Sequence, residues 1–246
     1  MSHRKPVILV TGCSSGIGLA LIQQLKERLD DYRVVATART SSLPKIAKAG
    51  IAPSEDLRLR PLDVTSNEER TTLISEIERD WGGVDILINN AGISYRPVVE
   101  HPTEDDEQHQ FSTNYHGPTH HIRLCLPEMR KQRAGRFTNV TSARRMMAMP
   151  TMGAYSASKF DLEGISEALY YEMRPWNIKV SLIQPGVVRS NSFKNVYVSE
   201  GARRAVEDST TYANYYWHMG RFIAGLMNRS NATHERIAAK IVQVME

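Results

Sequence analysis

Among 246 residues there are only two cysteines, Cys13 and Cys125, too few for a disulfide framework and suited to a reducing compartment. No apolar run approaches the ~18 residues of a membrane span, so no integral membrane segment is expected. Nor does an apolar signal region with a cleavage site precede Val7, which argues against export and for a cytoplasmic protein. There is no long run of one charge. Thirty-one Lys and Arg against 27 Asp and Glu leave +4, a balance that suits an anionic small molecule and is too diffuse for nucleic acid. His116, His120 and His121 lack partners at metal-ligand spacing, so no metal site is expected. Internal repeats and low-complexity linkers are also missing, and one domain over residues 1–246 follows.

What is present is an alternation of short β-branched runs with helical stretches. Strands are expected at Val7–Thr11, Arg33–Ala38, Leu57–Leu62, Asp85–Asn89, Phe137–Val140 and Lys179–Ile183. Helices are expected at Ile17–Leu29, Asn67–Trp81, Tyr155–Met173 and Thr233–Val244. Another should start at Asp105–Asn114 and run towards Arg130, bent at Gly117-Pro118, because proline removes a backbone donor. Continuous apolar strands alternating with helices predict an α/β fold, a doubly wound parallel sheet of Rossmann type covered on both faces. Its ligand crevice should lie at the C-terminal ends of the strands.

After the first strand comes Thr11-Gly12-Cys13-Ser14-Ser15-Gly16-Ile17-Gly18. Gly12 permits a tight turn, Gly16 close backbone approach to a pyrophosphate, and Gly18 close packing of the new helix on the sheet. A glycine triplet by itself fits an ordinary turn equally well. Its place between a strand and a helix favours a dinucleotide, with Ser14, Ser15 and Ile17 completing the binding loop. At the end of the second strand, where an acid would bind the ribose 2′-hydroxyl of NAD, the chain reads Thr37-Ala38-Arg39-Thr40. No carboxylate is there; Arg39, helped by Ser15, suits a 2′-phosphate, so NADP(H) is favoured over NAD(H). Asp63 and Val64 follow the third strand and are placed to meet the adenine edge.

Tyr155 and Lys159 are one helical turn apart, with Ser142 upstream in the sequence. An ammonium beside a phenol favours the phenolate and brings its pKa towards working pH, while a serine hydroxyl can orient a carbonyl or alcohol oxygen. A lone Tyr-x-x-x-Lys is also what a solvated helix face carries, so the pair needs its surroundings to acquire meaning.

Taken together, Thr11-Gly-x-x-x-Gly-x-Gly18, Asn89-Asn90-Ala91-Gly92, Asn114, Ser142, Tyr155-x-x-x-Lys159 and Pro185-Gly186 resemble the short-chain dehydrogenase/reductase family in order and spacing. The stretches 12–18 and 155–164 are most similar to its 17β-hydroxysteroid and photoreceptor-type retinol dehydrogenases. The resemblance implies that Tyr155 exchanges a proton with substrate and that Lys159 tunes it and holds the nicotinamide ribose. It also implies that Ser142 holds the substrate oxygen and that Asn114 binds a water linking Lys159 to solvent. Asn90, Ala91 and Gly92 would let backbone pass beside the cofactor, and Pro185, Gly186 and Val188 would lie against the nicotinamide.

The chain departs from that pattern in three ways. Arg144 and Arg145 follow Ser142 where relatives tend to have small residues, and would either recognise an acidic substrate or face water. Ser190 stands where Thr is common. Relatives also follow the last helix with a further strand that often joins subunits. Nothing after Glu246 supplies it, so either the sequence is truncated there or the sheet is one strand short.

By the same resemblance, residues 191–228 form a variable substrate lid. Its Phe193, Tyr197, Tyr212, Tyr215, Tyr216, Trp217 and Phe222, with Met146, Met147, Met149 and Met152, would either line a large apolar pocket or fill the core or a subunit interface. The expectation is an oxidoreductase, a homodimer or higher homo-oligomer, acting with NADP(H) on a bulky hydrophobic alcohol or carbonyl such as a steroid or retinoid. The alternatives are a reductase of a smaller polar carbonyl and a non-catalytic NADP(H)-sensing protein.

Overall fold

Strand β1 (Val7–Val10) is apolar at every position because both of its faces are covered. The computed structural model describes residues 4–143, 148–189, 196–208 and 211–246; Arg144, Arg145, Met146, Met147, Ser190 and Phe193 lie outside them. Ile8 and Val10 face one core layer. Leu21, Ile22 and Leu25 of α1 (Gly16–Leu25), Ile46 of α2 (Leu43–Lys48) and Ala238, Ile241 and Met245 of α9 (His234–Met245) complete it. Val7 and Leu9 face the opposite layer. There they meet α3 (Asn67–Trp81), α5 (Gly117–Gln132) and α6 (Gly153–Met173) through Ile74, Ile122, Met129 and Leu169. Side chains that alternate across a strand thus feed two hydrophobic layers at once.

With β2 (Arg33–Ala38), β3 (Leu57–Pro61), β4 (Ile86–Asn89), β5 (Gly135–Val140) and β6 (Ile178–Ile183), the sheet runs β3-β2-β1-β4-β5-β6, all parallel. The chain winds outward from β1 to β3, then returns to place β4 on the other side of β1. That reversal opens a crevice between the loops after β1 and β4. Six strands match the expectation, and among the described residues no strand pairs with the outer edge of β6.

The helix expected from Asp105 onward divides into α4 (Glu104–Phe111), a π-turn (Ser112–His116) and α5. The irregularity falls one turn before Gly117-Pro118. In α-helical register the Pro118 ring would meet the carbonyl of Asn114, and the wider turn relieves that conflict. A Cβ on Gly117 would stand 2.8 Å from the Val64 carbonyl oxygen, so this glycine lets α5 press against the loop after β3.

Three helices were not legible as such. The first is α2, only six residues long and begun by Pro44. The others are α7 (Glu200–Glu207) and α8 (Thr211–Arg229), which occupy most of the expected lid. Among the described residues no helix is long and apolar enough to cross a membrane.

Candidate active site

The loop after β1 is built by two glycines that no other residue replaces without strain. Gly12 and Gly16 have φ of 73° and 60°, the left-handed region. A Cβ on Gly12 would come 2.7 Å from the Ala91 Cα, and one on Gly18 would lie 2.3 Å from the Gly12 carbonyl oxygen and 2.5 Å from the Asn90 Nδ2. The loop is therefore pressed against the strand that follows the chain reversal. Thr11 and Asn90 lock the two together. The backbone N–H groups of Asn90 and Ala91 both donate to the Thr11 hydroxyl at 3.0 Å, while the Asn90 amide donates to the carbonyls of Thr11 and Gly12. Ser15, the N-cap of α1, makes no side-chain cap bond, so it leaves the first-turn N–H groups available to a ligand.

The other wall comes from β5 and α6. Lys159, only 4% exposed, donates from Nζ to the Val140 carbonyl at 2.9 Å. Burial pulls its ammonium down to about 8, against the opposing influence of Glu163 one turn along the same helix. Gln184 donates to Glu163 at 2.9 Å and fixes that countercharge. Tyr155 is half-buried one turn before Lys159, and Ser142 is buried just past the end of β5. A Cβ on Gly92 would stand 3.5 Å from the Lys159 Nζ and 3.3 Å from the Asn114 Oδ1, so the loop after β4 passes directly beside the lysine.

Asn114, fully buried in the π-turn, accepts from the Ile93 N–H at 2.9 Å and donates to the Ile93 carbonyl and the Ser158 hydroxyl. Ser158 in turn donates to the Tyr155 carbonyl at 2.8 Å, tying the first turn of α6 to this network. Beneath it a second chain links β4, β5 and α6. Asn89 donates to Asn139 at 2.9 Å, and Asn139 to Ser166 at 2.8 Å. These amide and hydroxyl bonds tie β4, β5 and α6 to one another beneath the cleft.

These walls enclose a cleft of about 660 Å³. It is lined by Gly12, Ser14, Ser15, Ile17, Arg39, Asp63, Val64, Asn90, Ala91, Gly92, Ser142, Tyr155, Lys159, Pro185, Gly186 and Val188, the greater part of the residues singled out from the sequence. Gly16, Gly18 and Asn114 stand behind the lining and shape it. Arg39 is exposed at the end of β2, 3.5 Å from the Tyr197 hydroxyl. Burial pushes the Asp63 carboxyl up, but hydrogen bonds from the Thr65 hydroxyl and N–H, with Arg39 and His109 nearby, outweigh that and hold it below the usual carboxylate range.

Sequence reasoning did not pick out several of the lining residues. Ser42 and Lys45 follow Arg39, and His234 begins α9 with its ring 3.7 Å from where a Gly16 Cβ would be. Ile93, Arg96, Val196, Ile223 and Met227 also line the cleft. The histidine triplet has other uses. His120 pairs with Arg70 at 3.0 Å, and burial draws His121 down to about 3, keeping it neutral. Among the described residues no three His, Cys, Asp or Glu side chains are grouped to hold a metal.

The aromatics of the expected lid have divided roles. Tyr197 lines the cleft and is bridged to Tyr95, with ring centroids 5.0 Å apart. Tyr216 accepts from the Val98 N–H and pairs with His101, and Tyr212 donates to Glu100, which together anchor α8 on the loop after β4. Tyr215, Trp217 and Phe222 point outward. The apolar lining from α8 is Ile223 and Met227, one turn apart, because a helix can present only one face to the cleft. Met152 lines the cleft and Met149 does not.

The sequence model described as short chain dehydrogenase matches residues 6–200. A 3-ketodihydrosphingosine reductase of Bacteroides thetaiotaomicron is 37% identical over 79% of this chain and 68% of its own length. Retinol dehydrogenase 8 of Homo sapiens is also 37% identical, over 76% of this chain; the aligned region spans 60% of that protein. In three dimensions the chain is similar to a short-chain dehydrogenase from Streptomyces avermitilis, with a TM-score of 0.79 and 29% identity over 98% of this chain and 84% of the other.

Proposed function

The chain belongs to the short-chain dehydrogenase family of NAD(P)-dependent oxidoreductases, and we propose that it moves a hydride between NADP(H) and the carbonyl or alcohol of a bulky hydrophobic substrate. The observation that carries this reading is that Ser142, Tyr155 and Lys159 open on one cleft whose far walls are the glycine loop and Arg39. The donors fit a dinucleotide. Uncapped N–H groups at the start of α1 suit a pyrophosphate, and the exposed Arg39 guanidinium at the end of β2, held only by a long contact to the Tyr197 hydroxyl, suits a 2′-phosphate. Ser15 is exposed beside the same loop, and no carboxylate ends β2 to bind a 2′-hydroxyl.

When bound, the nicotinamide supplies or accepts the hydride. The protein's part is position and proton management. Tyr155 gives a proton to the substrate oxygen in reduction and takes it back in oxidation. Lys159, charged below about pH 8, favours the phenolate through its field and stands beside Gly92. Ser142 orients the oxygen against the phenol. Asn114 acts at one remove, through Ile93 and Ser158.

Ile93, Met152, Val196, Ile223 and Met227 give the substrate end an apolar lining, which favours a large hydrophobic molecule. Two buried free thiols accord with a cytoplasmic setting, and exposed Phe160, Tyr170 and Tyr171 along α6 favour a homo-oligomer. The test is NADPH consumption by the full chain with steroid, retinoid, long-chain and small polar carbonyls. Turnover is expected with the bulky apolar members; tight NADPH binding with no turnover across the panel would sink the reading.

A further inference from the structure

Helix α8 turns three large aromatic side chains to solvent, Trp217 at 56% exposure, Phe222 at 54% and Tyr215 at 41%. Aromatic residues of this size are normally buried, and three on one short face require an explanation. Tyr215 and Phe222, two turns apart, form one flank of the exposed face, and Trp217 forms the other. Between them lie exposed His218, Arg221 and Arg229. The Arg221 guanidinium sits 4.6 Å from the Trp217 ring centroid, and among the described residues neither Arg221 nor Arg229 forms an ion pair. From Thr211 to Arg229 the sequence contains no Asp or Glu. The face is therefore a basic ridge between two aromatic rims.

We propose that this face of α8 docks on an anionic lipid surface and that apolar substrate reaches the cleft from it. The second half rests on the oxidoreductase reading; the docking does not. Tyr and Trp rings are amphipathic and settle at headgroup level, and arginines there reach the lipid phosphates while their stems stay in apolar surroundings. A second copy of the chain is a poorer occupant. A two-fold contact sets the same patch against itself, bringing Arg221 and Arg229 towards their own copies with no acid in the helix to pair them. The opposite face of the same helix carries Ile223 and Met227 into the cleft, so α8 is the wall between this surface and the reacting groups.

The experiment is cosedimentation of the full chain with vesicles of phosphatidylcholine alone and with about one third phosphatidylglycerol. Binding to the anionic vesicles should be at least about tenfold tighter and should weaken as salt is raised. The pair Arg221→Glu and Arg229→Glu should abolish the anionic preference, and the pair Trp217→Ser and Phe222→Ser should lower affinity about tenfold. Unchanged NADPH affinity shows that these variants are folded. Turnover of a long-chain ketone carried in anionic vesicles should fall in both, with turnover of a water-soluble carbonyl retained.

Absence of vesicle binding overturns the proposal, as does equal binding to both compositions. Concentration-dependent self-association that the aromatic pair abolishes, without vesicle binding, overturns it in favour of a contact between copies. Vesicle binding with no turnover of any carbonyl upholds the docking and sinks only the oxidoreductase reading.

Discussion

The Lys159 Nζ donates to the carbonyl of Val140 at 2.9 Å, fastening the first turns of α6 to the last residue of β5. Ser142 lies two residues beyond that carbonyl, so one buried hydrogen bond sets the lysine, and with it Tyr155, against the end of the strand that carries Ser142. The bond also holds a cation where burial opposes it.

That opposition has a measurable consequence for stability. Unfolded, Lys159 keeps its proton up to about 10.5; folded, up to about 8. Between those values the unfolded chain binds more protons, so this group makes stability rise with pH across the window, and below it the full cost of roughly 3 kcal/mol is present. Lys159→Met removes that cost and loses a hydrogen bond worth about 1 kcal/mol. Urea unfolding at pH 7 should show the variant more stable by about 1–2 kcal/mol, with the advantage shrinking towards pH 10.5, while turnover collapses. A variant markedly less stable than wild type at pH 7 would show that burial does not strain the lysine.

The pH profile of catalysis follows from the same group. Above about 8 Lys159 loses the charge that favours the Tyr155 phenolate, so kcat/KM for carbonyl reduction should fall as pH rises through that value. A flat profile across the same range would remove the lysine from proton management.

Tyr155→Phe deletes the exchangeable proton and leaves the ring. Turnover should drop by about a thousandfold, within the range for losing a general acid, with the NADPH dissociation constant changed by about twofold at most. Activity near wild type would require another proton donor in the cleft.

Arg39→Asp replaces the cation at the end of β2 with the acid that suits a 2′-hydroxyl. Affinity for NADPH should weaken by about tenfold or more and that for NADH should improve, read by fluorescence titration of each nucleotide. An unchanged ratio of the two would show that Arg39 does not set the preference.

Gly18→Ala should lower the unfolding free energy by about 1–3 kcal/mol and loosen NADPH binding, since its Cβ collides with the Gly12 carbonyl and Asn90. Gly164→Ala is the control. That position lies within α6 with nothing within 4 Å of a new Cβ, and the change should stabilise by about 0.5–1 kcal/mol. Equal effects from the two would refute the close approach at Gly18.

Most of the sheet and much of the cleft were legible because their signals are local. β2 and α3 begin and end where strand and helix periodicities say they do, and the glycine loop and Tyr155–Lys159 turn were read from residues a few positions apart. Length hid α2, which is too short to show a period. The sequence leaves open whether the aromatics of 191–228 line a pocket or fill the core or an interface, because that depends on helix orientation; in the structure Tyr197, Tyr216 and Trp217 have three different environments.

By itself the sequence determined the layer architecture, the dinucleotide loop and the candidate proton-transfer pair, since alternation, turn chemistry and helical spacing are properties of short windows. Only the tertiary structure decided that Asn114 acts on Ile93 and Ser158, that Lys159 is buried, and that α8 turns Ile223 inward and Trp217 outward. Each of those depends on which elements pack across long stretches of chain, and burial, the quantity that fixes charge and exposure, exists only once they have packed.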